Sequence, residues 1–124
     1  MQEQPNSQDL LEAVLNCLQD QLVPALEGRP AFDARVAART TAIVKREMER
    51  GAAAEAAARE RLEALLGRPG SYEALNEALC ERIERGEIGL ETPGFAEHLW
   101  ASVLDQVAID QPGYPSYRRL VGRQ

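Results

Sequence analysis

Residues 52–66 read AAAEAAARERLEALL. Alanine, leucine, glutamate and arginine lose little side-chain freedom in a helix, and no proline or β-branched residue interrupts them, so this stretch is helical before any tertiary contact is considered. Glu55 with Arg59 and Arg59 with Glu63 stand four residues apart, and such pairs add about 0.2–0.5 kcal/mol each. Leu62, Leu65 and Leu66 give the C-terminal half an apolar side, which marks a packed helix rather than a low-complexity linker. Gly67, Pro69 and Gly70 close it, and Gly51 ahead of it reads as the end of the preceding helix.

Working outward, the same periodicity recurs. Asn6 and Ser7 offer N-caps for a helix over about 7–27, with Leu10, Leu11, Val14, Leu15, Leu18 and Leu22 at three- and four-residue spacing. Pro24 either kinks or ends that helix, and Gly28 stops it. Pro30 suits the first turn of a second helix, 30–50, carrying Phe32, Val36, Ile43, Val44 and Met48. Ser71 caps a helix over 71–85, and Thr92-Pro93 begins another over 92–111 that takes in Phe95, Leu99, Trp100, Val103, Leu104, Val107 and Ile109. The apolar face of that last helix is wide, which predicts contact from two sides or half of a subunit interface. Residues 112–124 lack periodicity and read as a tail. The expectation is an all-α, compact bundle of about five helices in a single domain, with a short basic C-terminal tail.

Charge and composition restrict the function classes. The chain has 124 residues, 44% apolar and 27% charged, so one ordinary soluble core is expected. Net charge is −6, and because the tail holds Arg118, Arg119 and Arg123 with no acid, the body before it carries −9. Binding of nucleic acid by that body is disfavoured. No apolar run approaches the roughly 20 residues that span a bilayer, and no basic segment followed by an apolar one opens the chain, so the cytoplasm is the default compartment and no membrane association is expected. Cys17 and Cys80 are too few and too far apart for a zinc site or disulfide framework, and read as small buried thiols.

Catalytic constellations are missing from the pattern. His98 is the sole histidine, Phe95 stands three before it, and so the Glu-x-x-His pair of di-iron bundles is absent. His98 reads as a polar residue on a helix edge, and neither Gly-x-Ser-x-Gly nor a phosphate-cradling glycine loop occurs. No catalytic residue, metal or cofactor is expected, and the chain reads as a non-enzyme. Arg35 and Arg39, four apart beside the apolar stripe of the second helix, read either as a clamp for a phosphate, carboxylate or acidic surface, or as partners of acids on neighbouring helices. Asp110, unfavourably placed at a helix C-terminus, reads as ion-paired with Arg35 or a tail arginine.

Three stretches together resemble a bacterial family of small helical proteins classed only as a domain of unknown function. They are Leu10-Leu11-Glu12-Ala13-Val14 leading to Leu22-Val23-Pro24-Ala25-Leu26, then Phe32 to Glu47 around Arg35-Val36-Ala37-Ala38, and Asp110-Gln111-Pro112. The resemblance covers most of residues 8–114. The family more often has Asn where this chain has Arg39. Its members are typically encoded beside acyl-CoA dehydrogenases and beside kinases that look like aminoglycoside phosphotransferases, and no catalytic residues carry over.

The resemblance and the missing chemistry together imply a non-catalytic accessory protein in acyl-CoA metabolism. It would bind a phosphotransferase-like kinase or an acyl-CoA dehydrogenase through the wide apolar face around Trp100 and the basic tail with Arg118 and Arg119. The alternative is a small-molecule binding domain in which Arg35 or Arg39 meets an acidic or acyl-CoA-type ligand. A stand-alone enzyme would need His98, Glu47 and an arginine to converge. A homodimer is compatible with each reading.

Overall fold

A computed structural model describes residues 5–122, and every regular element among them is helical. The order is α1 (Ser7–Asn16), a π-helical turn (Cys17–Leu22), α2 (Val23–Ala25), α3 (Gly28–Leu66), α4 (Tyr72–Glu84), α5 (Phe95–Asp110) and α6 (Pro115–Gly122). The chain divides into two compact units, Met1–Arg50 and Gly51–Gln124, which share the residues of α3 between them.

In the first unit a capping box starts α1. The Asn6 side chain accepts from the Asp9 N–H at 2.8 Å, and the Asp9 carboxylate accepts from the Asn6 N–H at 3.3 Å. The π turn lies just ahead of Pro24, whose ring in a regular helix would meet the carbonyl of Asp20. The turn widens there, with the Val23 N–H reaching back to the Leu18 carbonyl. Leu26 is extended, and Gly28 takes φ +64, a left-handed value that only glycine adopts at little cost. Lys45 ties α3 to α1 through Glu12 at 3.3 Å and also bonds Glu49 at 2.9 Å. Those two carboxylates, Glu49 foremost, hold its ammonium above the usual lysine range.

The sequence places a helix end at Gly51, but α3 includes it as an interior residue. A single interior glycine costs about 1 kcal/mol relative to alanine, and the alanine-rich run that follows readily offsets it. Two further boundaries differ from expectation. Thr92 does not begin α5: its Oγ1 accepts from the Gly89 N–H at 3.0 Å, closing a tight turn, and Gly94 at φ +89 precedes the first helical residue, Phe95. The expected irregular tail is instead helical over Pro115–Gly122, with proline at its first position; Arg123 lies outside the described residues.

The second unit holds the core. Leu62 and Leu66 of α3, Leu75 and Leu79 of α4, Ile88 of the connection and Phe95 of α5 form one buried cluster, flanked by Leu65, Tyr72 and Ala78. Ser71 starts α4 by accepting from the Ala74 N–H at 3.2 Å. Both cysteines are exposed, contrary to the expected buried thiols. Cys17 follows Leu10 and Val14 along the outer side of its helix, and Cys80 is one residue past buried Leu79, hence turned about 100° away from the core.

Candidate functional site

The second unit contains a polar cluster that the sequence does not announce. Arg61 stands in the alanine-rich half of α3, and His98 and Ser102 lie one turn apart on α5. Arg61 Nε donates to His98 Nδ1 at 3.1 Å, and Arg61 Nη2 donates to Ser102 Oγ at 3.5 Å. His98 is only 4% exposed, so it is a buried group rather than the helix-edge residue expected. Its pKa lies below the ordinary 6.5, first because burial disfavours the imidazolium and second because the Arg61 charge repels it. Since Nδ1 accepts a hydrogen bond, the neutral ring carries its proton on Nε2. Sequence separation hides the pair, because Arg61 and His98 are 37 residues apart and each sits in a run that is legible as plain helix.

Beside this cluster an open hollow of about 240 Å³ is lined by Arg61, Ala64, Leu65, Pro93, Gly94 and Glu97. Its walls are mostly apolar, with one cation and one anion at the margin. A second hollow of about 360 Å³, between the start of α4 and the facing turns of α3, is more polar, with Glu55, Arg59 and Glu73 on its walls. Among the described residues no group of three or more His, Cys, Asp or Glu could hold a metal ion.

α5 also presents the feature its sequence suggested. Phe95, His98 and Ile109 turn inward, whereas Leu99, Trp100 and Val103 form an outward apolar stripe, with Trp100 53% exposed. Arg118 and Arg119 lie on α6 and are exposed, and the Arg119 guanidinium donates to Ser116 Oγ at 3.3 Å. Arg35 and Arg39 belong to the first unit, four apart and exposed on α3. Of their two readings, pairing with neighbouring acids does not occur: among the described residues they form no ion pair. They turn away from the α1-facing side that carries Ala34, Ala38 and Lys45, which accounts for this. Asp110 is likewise not ion-paired among the described residues; its carboxylate accepts from Gln106 Nε2 at 2.7 Å, a partner one turn back on its own helix. Of the five residues singled out from sequence, Arg35 and Arg39 thus belong to the first unit, and Trp100, Arg118 and Arg119 to the second.

A family described as a domain of unknown function, DUF6285, matches residues 24–114. The chain belongs to this family. The matched span begins at Pro24, so it takes in the Phe32–Glu47 and Asp110–Pro112 stretches and leaves out Leu10–Val14. No curated protein and no solved structure matches the chain.

Proposed function

We propose that this DUF6285 protein is a non-catalytic accessory protein that docks onto an enzyme through the outer face of α5. The observation that carries the reading is the exposed stripe of Leu99, Trp100 and Val103. Tryptophan is the side chain most often found at the energetic centre of protein interfaces, and three adjacent apolar groups left in water favour a partner that removes them from it. The partner class comes from the resemblance: a kinase of the aminoglycoside-phosphotransferase type or an acyl-CoA dehydrogenase, and with it the proposed role in acyl-CoA metabolism. The burial of His98, with Nδ1 accepting from Arg61 and the proton therefore on Nε2, supports a role other than general base.

The test is titration calorimetry of the purified chain against each enzyme. Trp100→Glu should weaken binding by at least about tenfold, the effect of losing roughly 1.4 kcal/mol at an interface. Binding to neither enzyme, or affinity that Trp100→Glu leaves unchanged, would contradict the proposal.

The hollow at Arg61 supports a second reading, a binder of acidic or acyl-CoA-type ligands. At about 240 Å³ it falls below the roughly 300–1,000 Å³ usual for such sites, and it offers Arg61 rather than the Arg35 or Arg39 expected from sequence. A saturable rise in melting temperature with acyl-CoA, lost in Arg61→Ala, would favour this reading over docking.

A further inference from the structure

The hollow beside His98 holds two opposite charges that do not neutralise each other. Arg61 of α3 and Glu97 in the first turn of α5 both line it, yet among the described residues neither forms an ion pair, with the other or with any third group. Arg61 is half-buried, and its hydrogen bonds, Nε to His98 Nδ1 and Nη2 to Ser102 Oγ, go to neutral acceptors. They hold the guanidinium in place without compensating its charge, and its remaining N–H groups have no partner among the described residues. Glu97 is exposed, and no described group donates to its carboxylate. The rest of the lining is apolar: Ala64 and Leu65 on α3, and Pro93 and Gly94 just ahead of α5.

A fixed cation, an anion and an apolar wall thus meet in one hollow. The α-carbon of an amino acid carries the three matching substituents, a carboxylate, an ammonium and a side chain. We propose that this hollow takes a small apolar α-amino acid, its carboxylate on Arg61, its ammonium on Glu97 and its side chain against Ala64, Leu65 and Pro93. Charge and size select this occupant. A carboxylate alone would satisfy Arg61 and be repelled by Glu97, and an amine alone would meet the reverse. A zwitterion gives each of the two side chains a charge-assisted partner and adds no net charge to the hollow. At about 240 Å³ the space is below the roughly 300–1,000 Å³ of sites for drug-sized ligands, which suits a molecule of few atoms.

The inference goes beyond docking through α5, and it rests on the acyl-CoA-type reading only in the premise that the hollow takes a ligand. Calorimetric titration of the full chain with L-leucine should give saturable binding. 4-Methylpentanoate, which is leucine without its ammonium, and isopentylamine, which is leucine without its carboxylate, should each bind at least about tenfold more weakly, the loss of one charge-assisted contact. Glu97→Gln, at an exposed side chain, should weaken leucine by the same factor and leave 4-methylpentanoate no weaker. Ala64→Leu, which fills the hollow from an exposed helical position, should abolish binding with unchanged helical circular dichroism. No saturable response to leucine up to about 10 mM, equal affinity for leucine and 4-methylpentanoate, or leucine affinity unchanged in Glu97→Gln would overturn the proposal. A response to acetyl-CoA with none to leucine would overturn it and uphold the acyl-CoA-type reading, whereas silence of both ligands would contradict both.

Discussion

Protonating His98 would set an imidazolium N–H against the Arg61 N–H that now points at Nδ1, two donors with no acceptor between them. The lowered pKa of His98 expresses that conflict together with burial. Below the unfolded-state value of 6.5 the unfolded chain binds a proton that the folded chain resists, so stability is complete above that pH and declines as pH falls from 6.5 toward the lowered folded value. Denaturation midpoints measured between about pH 8 and pH 5 should show this loss, and His98→Gln should flatten it. An equal acid slope in the variant would assign the effect to other groups. Arg61→Ala, which leaves a buried imidazole nitrogen without its donor, should cost about 1–3 kcal/mol in the same assay. Neither residue was legible as a pair, because a contact between an alanine-rich helix and an apolar one leaves no spacing signal along the chain.

At the scale of elements, caps and periodicity read well and breakers read less well. Asn6 and Ser71 are N-caps in the structure as their positions suggested, and Leu62, Leu75 and Leu79 fall in the core on the stripes their spacing drew. Gly51 misled because a glycine ends a helix only when the chain turns left-handed there, and it does so at Gly67, with φ +71, rather than at Gly51. The tail misled because residues 112–124 show no apolar periodicity, whereas Pro115 suits a first helical position. Ser71→Ala should lower stability by about 1 kcal/mol, and Leu62→Ala, which empties a fully buried site, by about 2–5 kcal/mol. Leu90→Ala, at a side chain 75% exposed, should stay within about 0.5 kcal/mol. Urea titrations of the three variants check this ordering, and a Leu90 effect equal to that of Leu62 would contradict the placement of the core.

For the whole molecule, no described helix is long and apolar enough to cross a membrane. What stands out is where apolar side chains remain in water: on the helices of the first unit and on the outer face of α5. The sequence foretold the second, since an apolar face too wide for one core must meet something else. It did not foretell the first, because half-apolar helices look alike whether their large residues point inward or leave that side to alanines. Arg35 and Arg39, read either as a clamp for an acidic group or as partners of acids on neighbouring helices, form no ion pair among the described residues. On the proposed reading, function lies in the outer face of α5 rather than in a reaction centre. Trp100, the only tryptophan of the chain, reports on that face directly. Labelled as 5-fluorotryptophan and followed by fluorine NMR, it should show a saturable shift and broadening on titration with the purified kinase-like enzyme or acyl-CoA dehydrogenase. A resonance unmoved by saturating amounts of both would contradict docking through α5.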